Sequence, residues 1–247
     1  MAFFPTNQNL FSVVLAIFIT SFLLLATELV NSQKTCRVFL HSGILLISNP
    51  AYDKYGSGRA LYSTPVPIWD KTTGNVASFV TSFTFQVSNF KNFYPGSGFI
   101  FFLTPTDKAN IPPTSYGANL GVVDDNNAYN QFYKHIGINV GSLISLRTVK
   151  WNRVSGALVD VNISYDSLSK TLNVIVSYPD GTFSTIAQVI DLKAVLPDTV
   201  RIGFSGTSSS VGTNLTQVRQ LQYIHSWSFK SNLATTKTTI SDNIASF

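Results

Sequence analysis

The sequence predicts an all-β sandwich, and three observations predict it. Polar and apolar residues alternate with period two in several short runs, the pattern of half-buried strands. Turn-forming clusters such as DKTTGN, YPGSG, PTDKANIPPTSYG and YPDGT separate those runs. Only AQVIDLKAVL (187–196) carries a helical turn, and many strands with almost no helix argue for a sandwich. The chain of 247 residues suits one domain of this class, and 45% hydrophobic against 12% charged residues is the balance of a packed core.

Taken in order, residues 10–26 (LFSVVLAIFITSFLLLA) are almost wholly apolar and lead into Asn31 and Ser32. Residues 1–32 therefore read as a secretory signal peptide; the run is short for a membrane span and lacks a basic stop-transfer flank. SFVTSFTFQV (78–87) alternates, whereas GFIFFL (98–103) is continuously apolar, as in a strand covered on both faces. HIGINVGSL (135–143) opens as a strand. VDVNISYD (159–166) and TLNVIVSY (171–178) flank the turn SLSK and form a hairpin. RIGFSGTS (201–208) and HSWSFKS (225–231) complete the set. ATTKTTISDNIASF (234–247) is polar and Thr-rich and is expected to be a loose tail.

Other readings are excluded or narrowed. The net charge is +5 with basic residues scattered, so no nucleic-acid surface is expected. Cys36 is the only cysteine, so it is either a free thiol or bridged between chains. Asn162-Ile163-Ser164 and Asn214-Leu215-Thr216 are glycosylation sequons, in keeping with a secreted or vacuolar protein. His41, His135 and His225 have no useful mutual spacing, GFSG (203–206) lacks the spacing of a nucleophile elbow, and Asp124-Asp125 reads as solvated surface. No enzyme is expected.

One stretch carries a more specific message. GSGRALYSTPVPIWDKTTGNVASFVTSFTFQV (56–87) contains GRALY, PVPIWD, TGNVASF and TSFTF in order, and HIGINVGSL, VRIGFS and SWSF follow. From about His41 to Leu233 the chain resembles the legume lectin family. The resemblance implies a jelly-roll β sandwich over residues 33–233, with a flat back sheet, a curved front sheet and a sugar pocket on loops above the front sheet. In such a pocket a carboxylate, an amide, a backbone N–H and an aromatic face hold the sugar. Calcium and manganese order the loops by collecting oxygen ligands.

The same resemblance marks departures. Ser97 stands at the aspartate position and Gly98 keeps the glycine; a trans Gly96–Ser97 peptide is expected. In YGANLGV, Ala118 takes the place of the glycine whose N–H faces the sugar, and the loop 206–226 is long. VVDDNNAYNQFYK fills the space of the family's acidic strand and metal loop, and a back-sheet strand near the N-terminus looks absent. His135 matches the metal-ligating histidine, but only as a remnant, so no cofactor is expected. The expectation is a secreted carbohydrate-binding protein with weak, metal-independent affinity for a carbohydrate or glycoprotein, helped by aromatics such as Tyr94, Tyr116 or Phe132. The alternatives are an arcelin- or amylase-inhibitor-like defence or storage protein acting on a protein target, and a decayed copy.

Overall fold

A computed structural model describes residues 39–41, 43–47, 55–90, 98–112, 115, 120–122, 134–209, 219–234 and 240–246. The expectations for the signal peptide, Cys36, Gly96–Ser97, Ala118, Asp124-Asp125 and Asn214 lie outside these residues. The described strands are β1 (Phe39–His41), β2 (Ile44–Leu46), β3 (Tyr55–Leu61), β4 (Val66–Pro67), β5 (Ser78–Phe90), β6 (Gly98–Pro105) and β7 (His135–Ile138). Then come β8 (Arg147–Lys150), β9 (Leu158–Asp166), β10 (Thr171–Ser177), β11 (Phe183–Val189), β12 (Thr199–Ser209), β13 (Arg219–Ala234) and β14 (Ile240–Ser246). A 3₁₀ turn η1 (Thr106–Lys108) and a helical turn α1 (Leu192–Val195) are the only helical pieces among them.

Two sheets form the sandwich. The larger runs β1-β2-β13-β5-β9-β10-β11, with β14 on β13; the smaller runs β3-β12-β4, with β6 on β12; β7 and β8 form a third pair. The larger sheet ends on the short hairpin β1–β2, at the side where the resemblance implied a missing strand.

Period-two patterning sets the core. On β5, Phe79, Thr81, Phe83, Phe85 and Val87 point inward and are buried. They meet the smaller sheet through aromatic contacts: Phe83 to Phe101 at 6.4 Å, Phe85 to Phe99 at 5.4 Å edge-on, and Trp227 to Phe204 at 5.7 Å and 90°. Trp227 Nε1–H donates to Thr81 Oγ1 at 2.8 Å, and Thr81 Oγ1 donates to the Ser228 carbonyl at 2.7 Å, so both of these buried polar groups are paired.

The expected β9–β10 hairpin forms, with a register running from Thr171 opposite Asp166 to Ser177 opposite Asp160. The helical hint at 187–196 resolves into the end of β11 followed by α1, capped by Asp191 accepting from the Lys193 N–H at 3.2 Å. The expected loose tail needs correction. Residues 240–246 form β14, antiparallel to Ser228–Ala234 of β13. On that side β2 pairs only with Tyr223 and Ile224, so the rest of β13 presents open backbone groups that Thr- and Ile-containing chain can satisfy.

Candidate functional site

The candidate site lies where the start of β6 meets the described residues Pro112, Ser115 and 120–122. β6 is buried from Phe99 to Pro105. Phe99, Phe101 and Leu103 join the inter-sheet core, while Ile100 and Phe102 form a second cluster with Val122, Leu61 and Leu120. Gly98, the one retained pocket residue that is described, opens β6 opposite Thr207 with φ of 150°. Its carbonyl accepts from Gln222 Nε2 at 3.1 Å, and the same nitrogen lies 3.1 Å from the Thr207 carbonyl and 3.0 Å from Gln220 Oε1. Gln222 is fully buried in β13, so the larger sheet fixes the start of a strand belonging to the smaller one.

Described residues on either side of Ala118 bond to each other and to the chain before them. The Gly121 N–H donates to the Ser115 carbonyl at 2.7 Å, and Ser115, 1% exposed, donates from Oγ to the Pro112 carbonyl at 2.7 Å. Leu120 and Gly121 both take left-handed backbone, with φ of 51° and 72°. Gly121 lies so close to β12 that a Cβ there would stand 2.3 Å from Ser205 Oγ. A Cβ on Gly98 would be 3.7 Å from Leu120 Cδ2, so the two pocket-forming stretches converge. In the sequence Ser97 directly precedes Gly98, and Ala118 lies between Ser115 and Leu120.

Arg59 on β3 joins these parts. Its Nη1 donates to the carbonyls of Lys108 (3.0 Å), Ala109 (3.0 Å) and Asn110 (2.7 Å), and Nη2 donates to the Gly121 carbonyl. The guanidinium carbon sits 4.9 Å from the Phe102 ring centre. A cavity of about 150 Å³ lies beside it, lined by Arg59, Phe102, Thr104, Asp107, Lys108 and Asn110. Arg59 and Gln222 were not singled out by sequence reasoning. The available signal was a cation within the apolar GRALY landmark and an amide inside the strand leading to SWSF.

His135 stands elsewhere in the fold. It opens β7 with its ring half-buried, and its cross-strand partner is Lys150, a cation. Ile136 and Ile138 beyond it are fully buried, so β7 is a packing element. Among the described residues no three His, Cys, Asp or Glu side chains gather to hold a metal. Asn162 lies exposed on β9, with Nδ2 donating to Ser82 Oγ at 2.9 Å across to β5. His225 occupies a bulge in β13 beside Gln86, at 3.3 Å, and burial pushes its imidazole below the ordinary value.

Comparison with known proteins places this arrangement. A family model, the legume lectin domain, matches residues 18–245. The chain is 52% identical over 223 residues to the bark agglutinin LECRPA3 of Robinia pseudoacacia, covering 83% of this chain and 79% of that one. It is 40% identical over 264 residues to a galactose-binding lectin of Arachis hypogaea, covering 92% and 94%. Among solved structures, peanut lectin with a nine-residue peptide superposes with a TM-score of 0.72 at 42% identity, covering 81% of this chain and 90% of that chain.

Proposed function

Because the chain belongs to the legume lectin family, we propose that it is a secreted lectin whose pocket binds carbohydrate without a metal ion. The relatives are lectins and agglutinins, proteins that bind carbohydrate without chemistry, so this is a lectin-like carbohydrate-binding protein and not an enzyme. The observation that supports the metal-independent reading is that described residues beside the pocket stretches are held by protein contacts: Gly98 by Gln222, and Gly121 by Ser115. Anchored flanking residues reduce the ordering cost of binding.

The affinity is weak in this reading. Ser97 offers a hydroxyl where a carboxylate would make charge-assisted bonds, and Ala118 adds a methyl group where the family keeps a glycine. A Kd on the order of 1 mM is expected, about −4 kcal/mol. Galactose is the first sugar to try, since the Arachis relative is a galactose-binding lectin. Secretion rests on the apolar segment 10–26 and on the sequons at Asn162 and Asn214; mature protein beginning near residue 33 is the matching expectation.

The test is passage of purified protein over immobilised sugars with and without chelator. Retardation on galactose that persists in chelator and yields to free sugar supports the proposal. Retention abolished by chelator refutes metal independence. Passage through every sugar column favours the second reading, a defence or storage protein acting on a protein target, which the changes at Ser97 and Ala118 motivate.

A further inference from the structure

We infer that Arg59 is a positioning residue for the pocket: its guanidinium ties the end of η1 at Lys108–Asn110 to the turn at Gly121 over the smaller sheet. The link to sugar rests on the reading above, in which the loop bearing Ala118 faces the carbohydrate.

Arg59 gathers four carbonyl oxygens from two separate turns. Three come from Lys108, Ala109 and Asn110, at and just past the C-terminal end of η1, where carbonyls have no partner within the turn. The fourth comes from Gly121, in the turn that closes the Ala118 loop. Nη1 has only two hydrogens for its three acceptors, so one is shared. Positive charge surrounded by oxygens is also the chemistry of a calcium site. The difference is that this cation is covalently part of β3, where Arg59 pairs with Ser205 of β12. It sits against the Phe102 ring, 1% exposed, which limits competing water and strengthens each charge–dipole contact.

The geometry also makes the residue specific. Lys108–Asn110 and Gly121 lie on either side of the fork, so both turns are reached only by a planar group with donors on two arms. An ammonium is a compact charge that serves one side. Arg59→Lys should therefore loosen the segment while keeping the charge, and Arg59→Met should release it further.

The experiment is limited tryptic cleavage followed by mass spectrometry, with exposed Lys108 as the reporter and exposed Lys170 and Lys193 as controls outside the segment. Cleavage after Lys108 should rise about tenfold in Arg59→Met and less in Arg59→Lys, with Lys170 and Lys193 unchanged, because local cleavage follows the population of the opened segment. Chelator should leave the unmodified protein's pattern alone. Unchanged cleavage at Lys108 in both variants would overturn the inference, and so would a chelator effect on the unmodified protein as large as the substitution. If Arg59→Met speeds all three sites together, Arg59→Lys decides: selective opening at Lys108 supports the clamp, and uniform or absent change overturns it. Sugar retention is read separately. An unmodified protein that binds no sugar defeats the lectin reading while this assay still reports on the clamp. If it does bind, Arg59→Lys should weaken retention about tenfold with little change in Tm.

Discussion

At Gly121 a single missing methyl group lets the pocket loop rest on the sheet. The residue combines left-handed backbone, φ 72°, with a position where a Cβ would stand 2.3 Å from Ser205 Oγ. Gly121→Ala should cost about 1–2 kcal/mol for the backbone and a further ~1–3 kcal/mol for the crowding. Thermal unfolding should read this as a drop in Tm of roughly 5–10 °C. Ser205→Gly added to it should recover the crowding part alone; no recovery would show that the contact is not what matters. His225 gives a residue-scale pH test. Burial lowers its folded pKa below the ordinary 6.5, so the unfolded chain binds the proton more readily. Its contribution is fully present above pH 6.5 and is lost as pH falls through and below that value. Between pH 7 and 5 the unmodified protein should lose more Tm than His225→Gln. The turn carboxylates Asp70, Asp166 and Asp180 are held below their usual range by Thr and Ser hydroxyl and backbone donors, so they act only at lower pH. Of these residues, sequence reading singled out Gly98 alone, as the glycine kept from the family's pocket loop. Gly121 and Arg59 were not legible, because their partners lie 62 positions apart in the Arg59–Gly121 bond and 84 in the Gly121–Ser205 contact, and sequence spacing carries no trace of such pairs.

The elements were legible where one face is buried and one is wet. β5, β9 and β10 alternate in sequence and in burial alike, and GFIFFL is a strand covered on both faces, as its continuous apolar character implies. β14 was missed because its polarity resembles that of a solvated tail; it forms because β13, 16 residues long, outruns its other neighbour on that side. Removing residues 235–247 should expose the Ser228–Ala234 edge of β13. An uncovered edge is a template for pairing, so the truncated protein should melt earlier and self-associate in sedimentation. A truncated chain that stays monomeric with unchanged Tm would mean that β14 adds nothing. η1 was also missed: three residues after Pro105 are too few for a periodic signal, yet their carbonyls are what Arg59 holds.

On the scale of the whole molecule, the sandwich brings two chain segments together that sequence alone shows only as altered landmarks. The fold was legible because the ordered blocks from GRALY to SWSF and the period-two runs agree. For the candidate site, the sequence marked Ser97 and Ala118 as changed landmarks, whereas the contacts of the described residues beside them, from Gln222, Ser115, Gly121 and Arg59, left no trace in it. His135 opens β7 opposite Lys150. The central claim is that protein contacts, not a metal, order this pocket. Elemental analysis of the purified protein after equilibration with calcium and manganese tests it most directly. The account predicts well under one equivalent of either metal per chain; one tightly held equivalent of each would contradict it.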